Sequence, residues 1–181
     1  MTSAAAAAAP QSYHRTQIIL HWLIAVMVFG LYAVGLSVDL FDKPVRPFII
    51  NLHASFGLTL LVLVVVRIAW RATHKSPPLP AGMGPLFQKA AAAGHGLLYL
   101  LMILIPIIGL RAFFLRGKPL DLGVLQIPSP FEANHDLAEQ TADFHGLMAH
   151  LLIALVAGHI IVALYHQFVL RDDLLARMRP R

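Results

Sequence analysis

The sequence predicts an all-α fold, an integral membrane bundle of four helices. Hydrophobic residues fill 58% of the 181 positions and charged residues only 13%, whereas a soluble domain runs at about 45–50% apolar and about 25% charged. Four apolar stretches, roughly 18–38, 49–70, 91–112 and 145–169, each reach the about 20 residues that a bilayer core requires. The remaining loops are too short to form a separate catalytic domain.

Residues 1–13 open with "MTSAAAAAAP". They contain no early Lys or Arg, and the first apolar run leads directly into a full-length span. A disordered, alanine-rich tail is therefore expected rather than a cleaved signal peptide, and residues 14–181 form one membrane domain. Span one begins at "YHRTQIILHW", where Trp22 suits the interface, and ends at the short outer loop "SVDLFDKPVRP". Span two, "FIINLHASFGLTLLVLVVVRIAWR", closes with Arg67, Trp70 and Arg71, which are expected to snorkel to the inner surface. The linker "ATHKSPPLPAGMGP" has the Pro and Gly content of a turn-forming loop.

Span three, "AAAGHGLLYLLMILIPIIGLRAFF", carries Pro106 and Gly109 near its outer end, where a kink is expected. The long connection over about 113–143 includes "FEANHDLAEQTAD", which suits a short amphipathic helix. Span four is "DFHGLMAHLLIALVAGHIIVALYHQF", and "LRDDLLARMRPR" closes the chain as a basic tail.

Charge sets the orientation. Arg15, Arg67, Arg71, Lys75, Lys89, Arg171, Arg177, Arg179 and Arg181 fall on the side of the termini, nine of the fourteen basic residues. Seven of the nine acids fall on the other side. The positive-inside rule therefore places both termini in the cytoplasm. Cysteine is absent, which excludes disulfides, thioether-attached haem, iron–sulfur clusters and thiolate metal sites. Any metal or cofactor must be held by histidine nitrogen.

The chain has ten histidines. His14, His74 and His135 fall in loops or at span margins and read as solvated polar residues. His21, His53, His95, His145, His150, His159 and His166 lie inside the spans or at their lips, where ionisable groups are costly and commonly mark function. At about 100° and 1.5 Å per residue, His145, His159 and His166 share one stripe of span four within about 60°, while His150 points about 140° away from His145. His145 and His159 are separated by about 21 Å along the axis. That is too far for one metal ion and suits two flat cofactors stacked at different depths.

Each depth offers a second histidine. His53 shares the outer half with His145, whereas His21 and His95 both share the inner half with His159. Facing histidines suit bis-histidine haem iron, which transfers electrons rather than binding oxygen. Gly57, Gly94, Gly96, Gly146 and Gly158 are placed to let a porphyrin approach the backbone, although small residues also serve ordinary helix contacts. A single histidine of this kind commonly makes an interhelical hydrogen bond; two depth-matched pairs favour two haems. A metal transporter would usually add intramembrane carboxylates, which these spans almost lack.

The segments "YHRTQIILHW", "RPFIINLHASFG" followed by "VVRIAWR", "GHGLLYLLMILIPIIGL", "RGKP", "DFHG" and "GHIIVALYHQFVLRDDLLARM" together resemble the bacterial cytochrome b561 family, and in particular its superoxide oxidase members. The resemblance runs in order from about residue 13 to the end. It implies a four-helix membrane bundle with two haem b groups, passing electrons from superoxide to ubiquinone. It also implies His21, His53, His145 and His159 as the axial ligands of the haem irons, paired His53 with His145 outside and His21 with His159 inside. His166 matches a position associated with quinone, with His95 and Arg71 as weaker candidates; His150 matches no motif histidine.

The expected activity is superoxide oxidation at the periplasmic face of the bacterial inner membrane, with the electrons delivered to ubiquinone. Lys43, Arg46, Arg111, Arg116 and Lys118 are the basic residues available to steer the anion. The same architecture would also serve as the cytochrome b subunit that links a partner dehydrogenase to the quinone pool. A haem-free, histidine-rich proton or metal carrier is a further alternative, and no nucleic acid partner is expected.

Overall fold

A computed structural model describes residues 12–74, 77–78 and 84–179. Four helices, α1 (Arg15–Ser37), α2 (Arg46–Thr73), α3 (Pro85–Phe114) and α4 (His135–Tyr165), form an up-and-down bundle. All four are long and apolar enough to cross a membrane. Isoleucine, leucine and valine from all four helices meet at its centre: Ile24 and Val28 of α1, Leu60 and Val64 of α2, Leu98, Leu101 and Ile105 of α3, and Leu152 of α4. Other apolar side chains, such as Val26, Val62, Ile107 and Ile161, point outward and are exposed, as they must where the solvent is lipid.

All four helices begin before the expected spans, and α2 and α3 also run past their ends. α3 begins at Pro85 and α4 at His135, whereas the apolar runs begin near 91 and 145. The extra turns lie outside the long apolar runs but are properly started. Pro85 occupies the first position of α3, where its missing N–H costs nothing. The Asn134 side chain accepts from the N–H of Leu137 at 2.9 Å, capping α4. The segment expected to form a separate amphipathic helix is thus the start of α4, because the Asn134 cap lets one helix run unbroken into the apolar stretch. α3 is likewise one continuous helix through Pro106.

The connection between α3 and α4 contains an antiparallel hairpin that the sequence did not announce, β1 (Leu120–Asp121) with β2 (Gln126–Ile127). Gly117 precedes it at φ 73°, and a β-carbon there would lie 2.9 Å from that of Ala133. Only glycine fits that turn. Leu120 is fully buried and packs in a small cluster with Ala54 and Phe113. Asn51 donates to the Asp121 carbonyl at 2.8 Å and accepts from the Asp121 N–H at 3.0 Å, while Ser55 donates to that carbonyl at 3.2 Å. The hairpin is therefore fastened to the turn of α2 that carries His53.

At the opposite end the termini meet. The N–H of Tyr13 and the hydroxyl of Ser12 both donate to the carbonyl of Arg177, each at 3.2 Å, and the indole of Trp22 donates to the carbonyl of Met178 at 2.8 Å. Both termini thus lie on one side of the bundle, as an even number of spans requires. Residues 1–11 of the expected alanine-rich tail, residues 75–76 and 79–83 of the inner linker and the final two residues lie outside those described.

Candidate functional site

α1 packs on α2, α2 on α3 and α3 on α4. α1 with α4, and α2 with α4, make no comparably close backbone contact. Histidine rings bridge these two wider separations. His53 of α2 faces His145 of α4 with ring centroids 6.0 Å apart and planes at 83°. His21 of α1 faces His159 of α4 at 6.4 Å and 66°. Metal–imidazole bonds run to about 2 Å, so two rings on opposite sides of one ion have centroids about 6 Å apart. Both pairs have that spacing.

His145 shows how such a ring is prepared. Its Nδ1 lies 3.0 Å from the carbonyl oxygen of Ile105. A carbonyl can only accept, so Nδ1 carries the proton and Nε2 keeps its lone pair free for a metal. Gly109, one helical turn beyond Ile105, leaves room for the ring: a β-carbon there would stand 2.7 Å from His145 Cε1. A β-carbon at Gly35 of α1 would make only an ordinary contact, 3.6 Å from His53 Cε1. Sequence reasoning missed the role of Gly109, because a glycine that seats a side chain of another helix carries no local signal. His53 Nδ1 is buried without a protein partner.

A cavity of about 310 Å³ surrounds the outer pair, within the about 300–1,000 Å³ range of cofactor sites. Gly57 and Gly146 line it, and a β-carbon at either would meet nothing within 4 Å. Their smallness therefore does not serve helix contact, and the same holds for Gly94, Gly96 and Gly158. No group of three or more His, Asp or Glu side chains among the described residues suits a metal held by protein alone. Two facing histidines beside an open cavity, as His53 and His145 are, would suit a metal whose remaining positions a flat macrocycle fills.

The inner end keeps two candidates, since His95 lies 5.6 Å from His159, nearer than His21. Arg67 departs from expectation. It does not snorkel to the surface but is only 7% exposed inside the bundle. Its Nε donates to the Tyr99 hydroxyl at 3.0 Å and its NH1 to the Gln17 carbonyl at 2.9 Å. α2 continues for six residues past Arg67, so the end of the apolar run is not the end of the helix. Arg71 is exposed and sits over the Tyr99 ring at 6.0 Å.

His166 keeps the backbone of α4, its N–H bonded to the Val162 carbonyl at φ −59°, and opens a π-helical turn (His166–Leu170). Its Nδ1 meets the Asp172 carboxylate at 2.5 Å, and Arg171 takes the left-handed conformation that ends the turn, at φ 53°. Among the described residues no hydrogen bond or ring contact joins His166 to His95 or Arg71. His150 donates from Nδ1 to the Gly146 carbonyl at 2.6 Å and stands edge-on to Tyr32 at 5.6 Å. It lies off the ligand pairs, as its helical phase requires, yet it lines the wall of the outer cavity.

The basic residues of the outer side divide. Arg46 is tied up with Asp39 at 3.2 Å, and Arg111 donates to Thr141 at 2.7 Å. Lys43 is exposed. Arg116 and Lys118 converge on a smaller cavity of about 130 Å³, and Arg116 also lines the large one. At the margins, His14 and His74 are not simply solvated. The Trp70 ring stacks on His74 at 3.9 Å, with His14 at 5.3 Å from Trp70.

The chain is similar to known proteins over nearly its whole length. The sequence model of prokaryotic cytochrome b561 matches residues 12–181. A Yersinia pestis protein named "Probable superoxide oxidase CybB" is 32% identical over 174 residues, covering 94% of this chain and 97% of that protein. "Cytochrome b561 homolog 2" of Escherichia coli (strain K12) is 33% identical, covering 93% of this chain and 92% of the relative. "Cytochrome b562" of Cereibacter sphaeroides is 35% identical, with 93% and 96% covered. Four apolar membrane helices, facing histidines and a match over nearly the whole length leave one conclusion: this chain belongs to the prokaryotic cytochrome b561 family, the b-haem electron-transfer cytochromes of the bacterial inner membrane.

Proposed function

We propose that this protein is a superoxide oxidase, taking electrons from superoxide at the periplasmic face and delivering them to ubiquinone. Two superoxide anions give two dioxygen molecules, and one quinone takes the two electrons and two protons to become quinol. The observation that carries the reading is the pair of histidine bridges at two depths. The choice of superoxide rests on the name of the Yersinia pestis relative.

Two b-type haems, when bound, supply the electron path between the two faces. His53 and His145 are assigned to the outer haem and His21 and His159 to the inner one. The chain's other residues handle the substrates. Arg116 and Lys118 concentrate the anion at the mouth of the outer cavity. His166, fixed by Asp172, is assigned the quinone at the inner face, where a histidine can hydrogen-bond a carbonyl oxygen and pass a proton. His95 and Arg71 are the further candidates at that face.

The test supplies enzymatically generated superoxide and ubiquinone to the purified protein and follows quinol formation. One quinol per two superoxide anions is expected. Haem that superoxide fails to reduce would sink the assignment and favour the subunit of a partner dehydrogenase; absence of a b-type α-band would favour a haem-free carrier.

A further inference from the structure

Arg67 places a permanent charge in the inner half of the bundle with no acid beside it. It lies fourteen residues after His53 in α2, the same step that separates His145 from His159 in α4. Fourteen residues make nearly four turns and about 21 Å. Arg67 therefore shares the face of α2 that carries His53 and the depth of His21 and His159. Among the described residues no carboxylate lies within ion-pair distance of it.

A second observation points the same way. Gln17, one turn from His21 in α1, is 2% exposed, and its Nε2 is buried without a hydrogen-bond partner. Tyr99 accepts from Arg67 at 3.0 Å, so its own O–H remains free to donate. Arg67 thus ties α2 to Tyr99 of α3 and to the backbone of Gln17 in α1, and those two residues carry the further donors. A buried guanidinium without a counter-charge and a buried amide without an acceptor are both costly, and a single anionic oxygen group would relieve both.

We propose that Arg67, Gln17 and Tyr99 seat a propionate carboxylate of the inner haem, and that the Arg67 charge favours the reduced state of that haem. The proposal rests on the two-haem reading above. A b-type haem carries two carboxylates along one edge, and the donors lie at the depth of the His21–His159 pair. A neutral quinone would leave the guanidinium uncompensated, and superoxide enters at the other face. The positive charge makes the inner haem a better electron acceptor than it would be without Arg67.

The experiment uses the full-length protein purified from membranes, with haem-to-protein ratio and a potentiometric titration of each haem. In Arg67→Gln the inner midpoint potential falls and inner-haem retention weakens about tenfold or more, while the outer haem is unmoved. Arg67→Lys keeps the charge and most of the potential but loses retention. Gln17→Leu removes the orphan donor: the haem-free protein is as stable as wild type or more so, yet it holds inner haem less well. This variant keeps the test open if Arg67→Gln does not fold.

Unchanged retention in Gln17→Leu together with an unchanged inner potential in Arg67→Gln would overturn the proposal. So would an Arg67 variant altered only in its KM for quinone. Failure of the underlying reading looks different: wild-type protein carrying one haem or none, or His21→Ala and His159→Ala both retaining two.

Discussion

A β-carbon added to Gly109 of α3 would stand 2.7 Å from Cε1 of His145 in α4. The glycine holds open both the space for the ring and access to the Ile105 carbonyl. Gly109→Ala should therefore push His145 out of place and lose the outer haem, although alanine favours a helix by about 1 kcal/mol over glycine. The haem-to-protein ratio should fall from two towards one with the helical circular-dichroism signal unchanged. A variant that keeps both haems would mean that the ring has another seat.

His53→Ala and His145→Ala should each remove the same haem, since the rings face each other at 6.0 Å. Difference spectra of the two variants should coincide. His150→Ala should keep both haems, because among the described residues its ring neighbour is Tyr32 and not a second histidine. Its place on the cavity wall makes this the stricter test: haem loss there would show that His150 does more than line the wall.

At the inner end both His21 and His95 approach His159. His21→Ala is expected to abolish the inner haem. His95→Ala is expected to leave it spectrally intact while raising the KM for ubiquinone. The reverse outcome would exchange the two assignments.

Asp172→Asn should lower quinol formation at least tenfold without altering haem content. It breaks the contact that fixes the His166 ring and its protonated nitrogen. His166→Ala should do the same, and the double variant should be no worse than the worse single one if the two residues act as a unit. Additive losses would count against that coupling.

Neutralising Arg116 and Lys118 together should slow haem reduction by superoxide several-fold to tenfold at low ionic strength, with the difference shrinking as salt is added. Arg46→Gln should have little effect on that rate, since its charge is already paired with Asp39. Equal, salt-insensitive rates for all variants would remove steering from the mechanism.

Hydropathy alone marks the four spans, because lipid requires about 20 apolar residues per crossing. The helical rise of about 1.5 Å per residue also sets the axial spacing of the histidines within each span. The added turns at Pro85 and His135 are not legible in hydropathy, which does not mark a helix outside the bilayer, and neither is the Leu120–Ile127 hairpin, whose strands are two residues long. The tertiary structure alone decided which helices stand apart and are bridged by rings, that Gly109 seats His145, that Asp172 holds His166, and that Arg67 turns inward rather than to the surface. The reason is physical: rise fixes position along a helix, whereas the neighbour that a side chain meets depends on how four helices are rotated and spaced against one another, and that is settled by packing between segments far apart in the chain.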